Sequence, residues 1–141
     1  MTTSEPAARA ADDAMGVLHF PDGLPGFENL RDFVLLRDDE LLPIVFLTSL
    51  GEPRVCFPVL PMHRIERDYR LRLSDDDRRA LELCGEPVVG ANVLCLAILN
   101  LGDGAQPVSA NLLAPIVINR ENWIGRQVIQ VDSPYSAAVE V

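Results

Sequence analysis

Apolar residues in this chain come in short runs broken by turn residues, with little helical spacing. Val17-Leu18-His19-Phe20 reads as a short strand. It stops at Pro21-Asp22-Gly23 and Pro25-Gly26, where proline presets the first turn position and glycine takes positive φ. Strands are predicted at Phe33–Leu36, Ile44–Ser49, Val55–Leu60 and Tyr69–Leu73. Pro58 and Pro61 demote the third of these to an edge, a bulge or a strand end. Tyr69-Arg70-Leu71-Arg72-Leu73 alternates with period two, which predicts one buried face and one wet arginine face. At Ser74 the pattern changes. Its hydroxyl can cap the Asp77 amide, and Asp75, Asp76 and Asp77 favour a helix dipole, so a helix is predicted over Asp75–Cys84, stopped by Gly85. Asn92–Leu101 then reads as a strand buried on both faces. It leads through a hairpin-type turn at Gly102-Asp103-Gly104 into Val108–Leu113 and Ile116–Asn119, separated by Pro115. Trp123–Val131 carries a last strand, with Gly125 at a bulge, and the tail from Asp132 is weakly specified. Many short strands, one short helix and frequent turns give a mainly β fold, a small antiparallel β-barrel-like domain.

Length fits one domain. The 141 residues are 48% hydrophobic and 23% charged, an ordinary globular balance. The first 15 residues, rich in Ala, Asp, Ser and Thr, read as a disordered leader, and residues 16–141 as the domain. They carry no apolar core of a signal peptide, and Val88–Leu101 is too short to span a bilayer.

Net charge narrows the partners. At −9 the chain repels phosphate backbones, so direct nucleic-acid binding is not expected; a basic protein partner is the natural counterpart, although acidity also serves solubility. All twelve basic side chains are arginine, which excludes Schiff-base and P-loop lysine chemistry. Cys56, Cys84 and Cys95 show no C-x-x-C spacing and fit a reducing compartment, with Cys84 and Cys95 as buried packing residues. His19 and His63 lack further metal ligands at ligand spacing, so no metal or cofactor is expected. A hydrolase using Cys56 with His63 has no geometric support in the sequence. Two acidic clusters, Asp38-Asp39-Glu40 and Asp75-Asp76-Asp77, are the candidate partner-binding face. The first also reads as a solvated loop and the second as a helix cap.

The segment Phe20-Pro21-Asp22-Gly23-Leu24-Pro25-Gly26-Phe27, followed by Phe33-Val34-Leu35-Leu36, resembles the opening signature of the FliW family of flagellar assembly factors. Ser109-Ala110-Asn111-Leu112-Leu113-Ala114-Pro115-Ile116-Val117-Ile118-Asn119, with Gly125-Arg126-Gln127-Val128 after it, resembles that family's C-terminal signature. The resemblance runs over Val17–Val131. It implies a cytoplasmic β-barrel-like protein that is not an enzyme. Such a protein binds flagellin and also the RNA-binding translational repressor CsrA, whose repression of flagellin synthesis it relieves. The alternative is a dedicated flagellin chaperone without CsrA regulation. Of the motif residues, Gly23, Pro25, Gly26, Phe27, Asn111, Pro115, Asn119 and Gly125 are read as scaffold, with Pro115 ending strand pairing and the two asparagines satisfying loop backbone. Phe27, Phe33, Phe57, Leu60 and Met62 are the candidates for an apolar flagellin contact. The arginine-rich stretch His63–Arg72 departs from the family picture and interrupts the acidic surface.

Overall fold

The computed structural model describes residues 16–141; the expected leader lies outside the described residues. Eight strands form one sheet: β1 Leu18–His19, β2 Asp32–Arg37, β3 Val45–Ser49, β4 Cys56–Pro61, β5 Val93–Asn100, β6 Ser109–Asn119, β7 Ile124–Gln127 and β8 Val139–Glu140. Helix α1, Asp75–Ala80, lies between β4 and β5, after a 3-10 turn at Met62–Arg64. The order β5-β4-β3-β2-β1-β7-β6 closes on itself through a β5–β6 pairing, and β8 adds to the outside of β6. The fold is therefore a seven-stranded barrel, mainly β, as the alternation predicts. All its pairings are antiparallel except β1–β7, which is parallel and rests on one pair, His19 with Ile124.

Period-two alternation fills the barrel. Leu18, Phe20, Phe33, Leu35, Leu47, Val59, Leu96, Ile116 and Ile118 pack together inside. Phe20 and Phe33, both fully buried, meet edge to face at 5.1 Å. That geometry adds about 0.5–1.5 kcal/mol to their burial. The opposite face of β5 and β6 is buried too. Cys95, Ala97, Leu99, Ala110 and Leu112 join Met62 and Tyr69 in a second core, and Val93, Val117, Val128 and Leu81 form a third. The predicted two-sided burial of the Asn92–Leu101 run follows, since the connection carrying α1 and the C-terminal tail cover the barrel's outside.

Several expected elements differ. β6 is one strand that passes through Pro115. Its pairing with β5 shifts between Leu96–Ile116 and Ile98–Asn111, so β6 advances five residues while β5 advances two. Pro115 thus sits in a bulge, not at a strand end. The odd number of extra residues reverses which face each side chain takes. Ala110 and Leu112 point to the outer core, Ile116 and Ile118 to the barrel interior. In β4, the ladder with β5 begins at Val59, just after Pro58, and Pro61 is the last residue, so both prolines avoid the doubly paired part.

Tyr69–Leu73 is not a strand, although its alternating burial is as predicted. Its backbone is bonded to side chains. The Arg70 N–H donates to the Tyr135 hydroxyl, and Gln130 brackets Arg72 by accepting from its N–H and donating to its carbonyl, each at 2.8 Å. Helix α1 ends at Ala80, short of Gly85, because Leu81 turns inward to the third core and Glu82 adopts positive φ. Cys84 is exposed, against expectation, while Cys95 is buried. The last strand is only Ile124–Gln127, and the tail contributes β8.

Gly125 lies in an unbroken β6–β7 register, not at a bulge. It is glycine because a Cβ there would stand 2.5 Å from Cζ of Phe20. We expect Gly125→Ala to lower stability by about 1–3 kcal/mol through overpacking. Urea denaturation should show a lower midpoint at unchanged slope, with part of the loss recovered by adding Phe20→Leu.

Candidate functional site

The two acidic clusters sit on different elements. Asp38, Asp39 and Glu40 occupy the β2–β3 connection, all exposed. The Asp38 carboxylate accepts the Glu40 N–H at 3.0 Å, and Asp39 lies 3.3 Å from Nε of Arg37. Asp75, Asp76 and Asp77 open α1. Ser74 caps that helix as its sequence predicts, accepting from the Asp77 N–H while the Asp77 carboxylate accepts from the Ser74 N–H, each at 3.0 Å. Among the described residues no hydrogen bond or ion pair joins the two clusters.

Asp77 does not share the exposure of its neighbours. Its side chain is only 11% exposed, and its other carboxylate oxygen lies 3.2 Å from Nε of Arg126. Nη1 of Arg126 reaches Asp22 at 3.2 Å. One guanidinium therefore ties the β1–β2 turn, β7 and α1 together. Asp77 belongs to the scaffold of α1, which leaves Asp75 and Asp76 as its outward acids, with Asp76 3.0 Å from Arg79.

The motif residues are engaged within the fold. Gly23, at φ +64, leaves no room for a Cβ, which would meet the backbone of Glu28 and Phe27 at 2.7 Å. Gly26, at φ +85, donates its N–H to Glu28. Pro25 is exposed between them. Phe27 packs edge to face on Phe57 at 5.8 Å. The Asn111 side chain accepts the N–H groups of Leu113 and Ala114, which holds the β6 bulge around Pro115. Asn119, 1% exposed, donates to the carbonyls of Leu81 and Glu82 and accepts from the Glu121 N–H, so it fastens the end of α1 to β6. Gln127 donates to the Ala114 carbonyl in the bulge. Of the candidate apolar contacts, Phe33 and Met62 are fully buried and Phe27, Phe57 and Leu60 half-buried against the cores.

Among the described residues no hydrogen bond joins Cys56 to His63; the Cys56 thiol accepts from the Thr48 hydroxyl. Cys56 opens β4 and His63 follows its end. They stand at opposite ends of that strand. Among the described residues no three His, Cys, Asp or Glu side chains group as metal ligands, and no helix is long and apolar enough to cross a membrane.

The family model described as FliW protein matches residues 2–141. The chain belongs to the FliW family of flagellar assembly factors. It is 40% identical to the flagellar assembly factor FliW of Pseudothermotoga lettingae over 121 residues, covering 85% of this chain and 74% of that one. Against the FliW of Carboxydothermus hydrogenoformans identity is 35%, covering 87% of this chain and 77% of the other. A crystal structure of the flagellar assembly factor FliW superposes with a TM-score of 0.78 at 30% identity, covering 88% of this chain and 84% of that chain. The two sequence signatures and the barrel thus lead to the same FliW family, and Arg126 joins them physically by pairing with Asp22.

We expect Arg126→Gln to cost about 1–2 kcal/mol, between the values of exposed and buried ion pairs. Asp22→Asn should cost less than about 0.5 kcal/mol, because Asp22 faces solvent. Urea titration of each variant checks both.

Burial raises the Cys95 thiol from 9.0 to about 12, and desolvation, with Cys95 and Tyr135 beside it, raises the Tyr69 phenol. Both raised groups are neutral below pH 9, so the stability they contribute is intact there. It declines as pH rises past their ordinary values, 9.0 and 10.0, through the raised ones. Thermal melts should therefore hold between about pH 7 and 9 with respect to these groups and fall above that range. Ellman titration of the native protein should modify Cys56 and Cys84 and spare Cys95.

Proposed function

We propose that this chain acts in the cytoplasm by binding, not by catalysis. In this reading it holds either flagellin or the CsrA-type RNA-binding repressor, and binding the repressor relieves its block on flagellin synthesis. Accumulating flagellin occupies the factor and frees the repressor, and export of flagellin reverses the balance. Such a switch is a coupled equilibrium between two partners.

The observation that carries the reading is charge. A FliW-family chain of net charge −9 exposes Asp38, Asp39, Glu40, Asp75 and Asp76. A repressor that binds RNA carries a basic surface, so these carboxylates favour association with it. Held beside the repressor's RNA surface, they also repel phosphate, which gives antagonism without direct blockage.

Isothermal calorimetry with purified repressor and flagellin, each alone and then together, tests this. Binding to both with mutual weakening is expected. Repressor affinity should fall at least tenfold between about 50 and about 500 mM salt. Reversal of Asp38, Asp39 and Glu40, or of Asp75 and Asp76, to arginine should weaken it; Asp77 is left intact because it caps α1, and urea titration alongside separates lost affinity from the stability that the first-turn acids give α1. Binding to flagellin alone would reduce the protein to a chaperone, and salt-independent antagonism would sink the electrostatic argument.

A further inference from the structure

The chain holds two Asp-Gly pairs, Asp22-Gly23 and Asp103-Gly104, and no Asn-Gly. An aspartate before glycine is open to attack on its side-chain carbonyl carbon by the next backbone nitrogen, because no Cβ shields that nitrogen. The reaction also needs a backbone free to turn and a nitrogen that is not already engaged. The fold treats the two pairs differently in both respects.

Asp22-Gly23 is held. Gly23 is buried, and its N–H donates to the Phe20 carbonyl at 2.9 Å. A Cβ there would meet the backbone of Phe27 and Glu28 at 2.7 Å, so the peptide is closely walled. The Asp22 carboxylate is drawn aside to Nη1 of Arg126, 3.2 Å away.

Asp103-Gly104 is open. It lies at the tip of the β5–β6 connection, where every residue from Leu101 to Pro107 is exposed. The Gly104 N–H has no hydrogen-bond partner among the described residues. Gly104 stands at φ +91, and a Cβ there would meet nothing within 4 Å. Asp103 Oδ1 accepts the Ala105 N–H at 3.3 Å, which folds the carboxyl back along the chain past Gly104. The base of the connection is fastened, since the Gly102 N–H donates to the Asn100 side chain at 3.0 Å. Freedom is thus confined to the tip.

We propose that Asp103 is a site of spontaneous succinimide formation and conversion to isoaspartate, and that the fold protects Asp22 from the same reaction. The Gly104 nitrogen bonds to Cγ of Asp103, and the carboxyl hydroxyl leaves as water with the amide proton. Water then opens the ring at either carbonyl. One opening restores aspartate. The other yields isoaspartate, whose main chain runs through Cγ and is longer by one methylene. Its free α-carboxylate is the group that isoaspartyl methyltransferases esterify.

The full chain is aged at physiological pH and temperature, natively and in urea, with Asp103→Glu alongside. Enzymatic methylation from a labelled methyl donor counts isoaspartate, and peptide mapping by electron-transfer fragmentation locates it. In the native protein, isoaspartate at Asp103 should exceed that at Asp22 by at least about tenfold, because the Asp22 turn reacts only on opening. In urea the two sites should converge to within about threefold. Asp103→Glu should remove most of the native signal, since a glutamate must close a larger ring. Equal native conversion at both positions, or none at Asp103, overturns the proposal. A site ratio that persists in urea overturns it as well, because the difference would then come from flanking residues and not from the fold.

Discussion

Closing the barrel demands that β1, only two residues long, reach β7, and the backbone supplies a single pair for the purpose. One pair is too little to hold a seam. The aromatic ring of Phe20 completes it by lying against Gly125, at a separation that no Cβ would permit. Just outside, Arg126 links Asp22 of the turn after β1 to Asp77 of α1. Three consecutive interactions thus seal the joint: a ladder pair, a ring on a bare backbone and a bridged guanidinium. Each needs one particular residue type at one place. That explains why the two segments bearing the FliW signatures flank this seam, more than a hundred residues apart in the chain.

The bulge in β6 is the second constraint. It lets one strand serve two cores, turning Leu112 outward and Ile116 inward. A bulge of this length leaves backbone groups without a ladder partner, and an unpaired buried group is costly. Asn111 takes two of the N–H groups, Gln127 takes the Ala114 carbonyl, and the chain after β7 and the tail take most of the others. The tail in turn fastens the Tyr69–Leu73 segment through Gln130 and Tyr135, whose ring stacks on Tyr69 at 4.2 Å. Polar side chains here stand in for β ladders. The outer layer of the molecule consequently hangs on the bulge.

This pattern explains what the sequence could tell and what it could not. Alternation and turn residues carry strands β2 to β5 and the cap of α1, because local chemistry decides them. Ser74 and Asp77 lie three residues apart, and their reciprocal bonds follow from that spacing. The Tyr69–Leu73 alternation marked a buried face correctly. Yet a strand also needs a neighbour, and the neighbours here are side chains some sixty residues onward, which period-two reading does not see. The run Leu112–Ile118 is apolar throughout, so the reversal of facing at the bulge leaves no trace in the pattern. Asp77 looked like its two neighbours in the acidic cluster and differs from them only through Arg126, far away in sequence. Gly125 similarly suggested a bulge, where the actual demand comes from Phe20. Ile129 and Val131 passed for ordinary strand residues yet stand exposed after β7, since exposure is a property of the finished fold.

Helix α1 is where the acidic surface meets the scaffold. Asp75 and Asp76 face outward, while Asp77, one residue on, caps the helix and pairs with Arg126. A partner that pressed on the outward acids would therefore act on the same capped turn. Linkage makes any resulting effect reciprocal: whatever one partner does to the affinity for another, the other does in return. On the proposed reading, coupling would be concentrated in the Asp77–Arg126 contact and in the first turn of α1, and the β2–β3 acids would tune affinity for the basic partner without entering the coupling.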